Sequence, residues 1–405
     1  MKDTRTPLAE LERRHERCRS IMARLLPQAG GLLVLNMTSI YYLSGSAANG
    51  VFWLPLKGRP VLAIRKGAER ARHESYVPDI VPFHSFRELP QLASEAGSPL
   101  SPIIATDMAG SSWATGAMLS ERLRKHTFIS GDSILIRARA IKSPWELEKM
   151  RESGDRLHQG QRLMLPKRIH PGMSELAIAH ESWRCNFELG HHGPQETGLP
   201  GIRDMFLGYV AAGNNANYST AYDGPVGVFG QHPATPFMGN SESFWNEGML
   251  LTLDSGFNFE GYLSDRTQVF FAGKETDIPS SVRKAHETAL HLEKVAAAML
   301  RPGAVPTAIY QEILRQAENA GYGEGFMGLG ANKVRFLGHG IGLTISEWPI
   351  ITRSFEPLEA GMVIALEPKI GLPGIGMAGS ENTYEITDDG ARCLTGDNNN
   401  IICIV

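Results

Sequence analysis

Asp254, Asp265, His339, Glu367 and Glu381 are spaced so that two hairpins and one glycine-flanked segment can gather them around a pair of metal ions. The first hairpin runs from the apolar stretch 249–254 to the apolar and aromatic stretch 265–271, with Gly256 and Gly261 as punctuation, a pattern that favours two strands and a turn. A turn centred between Phe259 and Glu260 sets Asp254 and Asp265 opposite each other, Cβ atoms roughly 5 Å apart. Like charges that close repel unless a cation lies between them. The second hairpin repeats the logic: strand 361–367, a Gly- and Pro-rich loop over 368–376, and a returning strand over 380–386. Gly374 is the midpoint of Glu367 and Glu381, so this pair is also expected to face across a ladder. His339 sits in Gly338-His339-Gly340-Ile341-Gly342, where flanking glycines remove bulk and free the backbone φ angles, which suits an imidazole presented in a crowded site. Taken singly, an Asp at a strand end is an ordinary turn or cap residue and Gly-His-Gly an ordinary turn. The two mirrored acid pairs with the histidine are what point to metal.

These groups need a scaffold. Helix-like patterns at 144–165 and 280–300 each lead through a Pro-Gly turn (171–172 and 302–303) into a second helix, with Leu176 and Ile178 in one and Ile309, Ile313, Leu314 and Ala317 at helical spacing in the other. Each helix pair precedes strands. Two α-α-β-β halves sharing a curved sheet predict a pseudo-twofold domain whose two hairpins meet at the centre. Ser143-Pro144-Trp145-Glu146 reads as a helix start with a capping box, which places a domain boundary near residue 140: domains are expected over 1–140 and 141–405. Before it, strand-like runs at 31–35, 40–43, 60–64 and 103–105 alternate with helical stretches such as 114–125, an α/β pattern.

The 405 residues, 42% of them hydrophobic, suffice for two cores. A net charge of −3 from 40 basic and 43 acidic side chains, without a basic stripe, argues against a nucleic-acid partner. The chain starts with a charged helix over 8–26 rather than an apolar signal segment, and no apolar run approaches the roughly 20 residues that span a bilayer. No membrane association and a cytoplasmic location are expected. Cys18, Cys185, Cys393 and Cys403 are scattered, as core thiols of a reducing compartment are.

The motifs Leu253-Asp254 to Asp265, 338–343, 361–368 and Glu381, together with the linker-helix stretch 141–150, resemble the pita-bread metallopeptidase family, which includes methionine aminopeptidase, aminopeptidase P, prolidase and creatinase. The resemblance implies an N-terminal creatinase-like α/β domain followed by a pita-bread, pseudo-twofold α+β catalytic domain. It implies a two-metal centre with Asp254, Asp265, His339, Glu367 and Glu381 as ligands, and Glu367 as proton shuttle. Such a donor set suits Mn, Co, Fe or Zn, and two such ions acidify a bridging water while polarising a carbonyl. A homodimer, with the N-terminal domain helping to close the neighbouring pocket, follows from the same resemblance.

Departures from the family pattern are concentrated around the substrate. Ser346, just before Glu347, stands where peptidase members usually carry a histidine, and a serine cannot act as an imidazole near pH 7. The segment 213–220 lacks the family's Pro-His pair, and His232 in a Gly/Pro-rich loop is the candidate replacement. Gly379 and Asn382 stand where an arginine and an aspartate are common. Tyr218, Asp223, Ser346 and Glu347 are the substrate-binding candidates, with Glu367 and His232 as the catalytic ones. The expected activity is that of an Xaa-Pro dipeptidase or aminopeptidase acting on a small peptide or small amide. Because fold does not fix reaction, a creatinase-like hydrolase or lyase of a non-peptide metabolite and a catalytically inactive binding protein are the alternatives.

Overall fold

A reciprocal cap opens the second of two units in the computed structural model: Ser143 Oγ accepts from the Glu146 amide at 3.0 Å while the Glu146 carboxylate accepts from the Ser143 amide at 2.8 Å. Two orphan helix donors are thereby satisfied, and the helix Pro144–His158 follows. The structure describes residues 4–193, 195–198, 208–396 and 398–405, and its units are 1–139 and 140–405.

The first unit is built on strands β1 (Gly31–Val34), β2 (Asn49–Pro55), β3 (Val61–Lys66), β4 (Asp79–Pro82), β5 (Ile103–Thr106) and β6 (Thr127–Ser130), in the order β4-β3-β2-β1-β5-β6. The β1–β2 and β2–β3 pairs are antiparallel and the rest parallel. Leu33, Val51, Phe83, Ile104 and Leu119 form part of its core. The run 40–43, expected as a strand, lies in the helix Met37–Ser44. Its β-favouring side chains are overruled at both ends: the Asn36 side chain accepts from the Ser39 amide at 3.1 Å, and Gly45 takes φ 75° as a left-handed stop.

The second unit carries β7 (Tyr209–Ala212), β8 (Leu250–Phe259), β9 (Tyr262–Ala272), β10 (Gly338–Gly340), β11 (Glu347–Ile351), β12 (Val363–Leu366), β13 (Lys369–Leu372), β14 (Gly376–Gly379), β15 (Asn382–Thr387), β16 (Gly390–Cys393) and β17 (Ile402–Ile404). They form a β17-β9-β8-β7 sheet, a β11-β10-β12-β15-β16 sheet and the β13-β14 ladder. Alternation along the β8–β9 hairpin divides its side chains between two cores. Leu251, Leu253 and Phe270 pack with Leu165, Ile178 and Ala179 around the helix Glu175–Glu188. Leu250, Val269 and Phe271 join Ala285, Leu292, Ile309 and Ile313 from the helices Ser280–Met299 and Pro306–Asn319, together with Ile364 and Leu366 of β12. The hairpin is therefore covered on both faces, and every residue of β9 is buried. At about 1.5–3 kcal/mol per fully buried Leu, Val or Phe, these contacts fix its position.

His339 lies at the middle of β10, paired with Ala365 on one side and Ile350 on the other. The glycines beside it are required by bulk and not by backbone angle, since neither Gly338 nor Gly340 has a positive φ. A Cβ on Gly338 would stand 2.1 Å from the Ala365 carbonyl oxygen, and one on Gly340 would stand 2.6 Å from that of Trp348. Because the obstacle is backbone, Gly338→Ala is expected to destabilise the chain by about 1–3 kcal/mol, read as a lowered urea midpoint. An unchanged midpoint would show that β10 and β12 are further apart than this.

Candidate metal centre and pocket

The β8–β9 turn closes at Phe259↔Tyr262, with Glu260 at φ 50° and Gly261 at φ 87° as its two central residues. A two-residue turn with both central φ values positive matches the twist of the strands, and glycine fills such a position at no steric cost. The turn centre thus lies one residue later than expected, which pairs Asp254 with Thr267 and Asp265 with Gly256. Asp254 and Asp265 are diagonal neighbours on one face, a relation that sets Cβ atoms roughly 7–8 Å apart, and not directly opposed partners. In the second hairpin Leu366 pairs with Asn382 and Lys369 with Gly379, the chain turning at Gly374 with φ 72°. One register runs through both ladders and sets Glu367 opposite Glu381. The Thr267 amide donates to the Glu381 carbonyl at 3.3 Å and joins the two hairpins.

All five residues line one cavity of about 230 Å³, together with Thr197, Tyr209, Tyr222, Phe336, Ile345 and Ile350. Asp265, His339 and Glu381 offer one donor atom each, all within 4.8 Å of one another. Nε2 of His339 is 3.8 Å from Oε1 of Glu367 and 3.8 Å from Oε1 of Glu381. Two carboxylates and an imidazole in this proximity fit a divalent transition ion, with Glu367 close enough to join them.

A cation already belongs to the cluster. Lys369 is fully buried, and its Nζ lies 2.6 Å from Glu381 Oε2, 3.0 Å from Glu367 Oε2 and 3.1 Å from Asp254 Oδ2. Burial alone would lower the pKa of this ammonium, but Asp254, Glu367 and Glu381 together hold it well above the usual lysine value. The acids respond to burial in the opposite sense. Asp254 is raised to about 6 by burial, with Lys369 opposing. Asp265 is raised well above its usual value by burial and then by the charges of Glu381 and Asp254. Burial also raises Glu367 and Glu381, against the pull of Lys369 and His339.

Of the other residues singled out in the sequence, Asp223 and Ser346 line the cavity, whereas His232, Tyr218 and Glu347 do not. His232 is exposed in a turn where its Nδ1 accepts from the Ala234 amide at 3.1 Å, so it replaces no pocket histidine. Tyr218 is 45% exposed and stacks on Phe229 with ring centroids 4.3 Å apart. Glu347 is turned inward: one oxygen accepts from the Leu343 and Thr344 amides at 3.0 and 3.2 Å, and the other meets Lys142 Nζ at 3.2 Å. Its role is to hold the 343–347 turn that presents Ser346. Gly379 has φ 132°, and a Cβ there would lie 2.4 Å from the Pro368 carbonyl oxygen, so no arginine fits this backbone. Asn382 bridges two buried charges, accepting from Arg266 Nη1 at 2.8 Å and donating to Glu293 Oε1 at 2.7 Å.

Sequence reasoning missed Lys369 and the aromatic wall of Tyr209 and Tyr222. Had the strand been carried past Pro368, its period would have signalled Lys369: two residues beyond Glu367, it shares that residue's face. Tyr209 pairs with Asp254 across β7–β8, and its ring meets that of Tyr222 edge-on at 6.1 Å.

The sequence profile described as metallopeptidase family M24 matches residues 148–388, and that of the creatinase/prolidase N-terminal domain matches residues 14–141. The chain is similar to an Xaa-Pro dipeptidase of Pyrococcus furiosus, 34% identical over 170 residues that cover 41% of this chain and 45% of that one. It is also similar to an uncharacterized peptidase, YqhT, of Bacillus subtilis, 27% identical over 258 residues covering 64% and 62%. These alignments span less than two thirds of either relative. The fold matches that of an Xaa-Pro dipeptidase from Bacillus anthracis with a TM-score of 0.80 at 22% identity, covering 97% of this chain and 100% of that one. An X-Pro aminopeptidase from Thermotoga maritima matches with a TM-score of 0.76 at 21% identity, covering 96% and 99%. With a creatinase-type N-terminal domain ahead of a pita-bread domain whose acids and histidine converge in one pocket, the chain belongs to metallopeptidase family M24.

Proposed function

We propose that this protein is a divalent-metal-dependent Xaa-Pro dipeptidase. The observation that carries the reading is the convergence of Asp265, His339 and Glu381 within 4.8 Å on the floor of a small, partly aromatic cavity. These three residues would hold the ion, with Glu367 beside them. The family resemblance implies ions of the Mn, Co, Fe or Zn type and, for a second ion, Asp254 as a fifth ligand; in this structure Asp254 is instead bonded to Lys369. A bound divalent ion supplies Lewis-acid polarisation of the scissile carbonyl and acidifies water enough for attack near neutral pH.

The remaining work falls to the chain's own groups. Glu367, whose carboxyl is raised above its usual value by burial, would carry a proton from the attacking water to the departing amine nitrogen. Phe336, Ile345, Ile350 and Tyr222 wall the cavity and exclude bulk water. Asp223 in the cavity lining suits the α-ammonium of a dipeptide, and Ser346 offers a hydroxyl to its backbone. A cavity of about 230 Å³ is smaller than the roughly 300–1,000 Å³ typical of drug-sized ligands, which favours a dipeptide over longer peptides.

A cytoplasmic location belongs to the same proposal. Supporting it are the four free cysteines, as expected in a reducing compartment. Among the described residues no helix is long and apolar enough to cross a membrane. A homodimer, implied by the family resemblance, completes the reading. The test is a panel of Xaa-Pro dipeptides, Xaa-Ala controls, tripeptides and non-peptide amides offered to Mn-replete protein. Preferential turnover of Xaa-Pro dipeptides is expected, and turnover of none of them would remove the proposal.

A further inference from the structure

Lys369 occupies the place where a second ion would have to sit. Its three N–H donors are matched by three carboxylate oxygens, from Asp254, Glu367 and Glu381, at 3.1, 3.0 and 2.6 Å. An ion drawing on the same three oxygens at the usual roughly 2.0–2.2 Å would compete with that nitrogen for every one of them. Both cannot be present with these side chains as they stand.

The ammonium is also not a surface group that has swung over the acids. A lysine arriving from solvent would enter through the cavity mouth and keep part of its stem exposed, whereas Lys369 is 0% exposed. It rises from the middle of the hairpin, paired with Gly379 across β13–β14, and its carbonyl accepts from the Met327 amide at 2.8 Å. The strand period sends it to the same face as Glu367. Its surroundings on the other side are apolar: Ile370, Leu372 and Ala378 belong to the core shared with Ala289 and Leu292. Withdrawing the ammonium from the acids would leave it buried without counter-charges, a costly state.

What remains for a metal is the opposite side of the cluster. Asp265, His339 and Glu381 keep donor atoms close together, and Oε1 of Glu367 and Glu381 point toward His339 while their Oε2 atoms serve the lysine. The charges agree with this division. Four carboxylates carry four negative charges, of which the ammonium offsets one and a single divalent ion two more, so that the lysine already supplies part of the neutralisation that a second ion would bring.

We infer that Lys369 is a built-in cation that takes the place of one divalent ion, so that this centre holds a single ion at Asp265, His339 and Glu381. The inference rests on the metal-dependent reading only for the presence of an ion, and not on the identity of the substrate.

The test is metal content rather than activity. The full chain is stripped with chelator, reloaded with excess Mn(II), freed of unbound ion, and examined by elemental analysis and electron paramagnetic resonance. The wild-type protein is expected to retain one ion per chain with the spectrum of an isolated Mn(II). Lys369→Gly, which vacates the nitrogen's position, is expected to retain two, with the spectrum of a spin-coupled pair. Asp254→Asn, at a carboxylate that bonds Lys369 Nζ and lies outside the Asp265, His339 and Glu381 group, is expected to keep one and serves if the glycine variant does not fold. Two ions or none in the wild type, one ion in folded Lys369→Gly, or loss of the ion in Asp254→Asn would each overturn the inference. One ion per chain without cleavage of any Xaa-Pro dipeptide would leave it standing and remove the dipeptidase proposal instead.

Discussion

His339→Ala is expected to lose its divalent ion on dialysis and to lower Xaa-Pro dipeptide turnover by about a thousandfold, a loss on the order of 4 kcal/mol in transition-state stabilisation. The substitution is informative because the imidazole does little for the fold. Among the described residues its Nδ1 meets the carbonyl of the next residue, Gly340, at 3.1 Å, and its ring lies 6.3 Å from Phe336. The backbone of β10 stays paired with β11 and β12 whatever the side chain. Thermal unfolding of chelated wild-type and variant proteins should therefore differ little, while ion retention and kcat fall together. A variant that binds its ion normally and still loses turnover would move His339 from ligand to catalyst. One that keeps both would exclude it from the centre.

The parts of this site that could be read from the sequence are those governed by strand period and by turn residues. Glu367 and Glu381 could be placed opposite each other because Gly374 marks the middle of a symmetric loop, and the helix start at Ser143 was legible because a capping box is local chemistry. The first hairpin was displaced by one residue for an equally local reason: Glu260 accepts a left-handed φ of 50°, letting Glu260 and Gly261 form the turn together. A glutamate gives no warning of that. Because the register moved by two residues along the partner strand, Asp254 and Asp265 remained on one face, and the acid cluster survived an error that an odd shift would have destroyed.

Loop residues were another matter. Tyr218, His232 and Glu347 have suitable chemistry, but nothing periodic in the sequence says which way a side chain turns in a loop or, like Glu347, at the first residue of a strand. Glu347 in particular bends back to the Leu343 and Thr344 amides and to Lys142, more than two hundred positions away in the chain. Lys369 was hidden for the converse reason. A lysine in a Gly- and Pro-rich stretch reads as a solvated loop residue, and only the observed β13–β14 ladder makes it part of the buried face that carries Glu367.

The stabilisation conferred by Mn(II) is expected to grow as pH rises from about 5 to 7, by on the order of 1.4 kcal/mol per pH unit for each proton displaced on binding. The sign follows from the acids. A carboxyl whose folded pKa is raised binds its proton more tightly in the folded chain than in the unfolded one. The stability it contributes is fully present below the unfolded value and is lost as pH climbs through the folded value. Asp254 moves from 3.8 to about 6, and Asp265, Glu367 and Glu381 shift in the same direction, so the chelated protein loses this contribution across that window. The ion requires the deprotonated acids and compensates their charge, so its benefit is greatest where the chelated centre is worst off. The comparison must be made between loaded and chelated protein at each pH. Burial lowers His15, His191 and His286 to about 4, and their contribution is lost as pH falls through 6.5 and below, the opposite sign. Those histidines lie outside the pocket lining, act equally on both forms and cancel in the difference. Urea titrations at pH 5, 6 and 7, with and without Mn(II), supply that difference. A gain that stays flat or shrinks toward pH 7 would mean that the ion displaces no proton, and that Asp265 and Glu381 are already ionised without it.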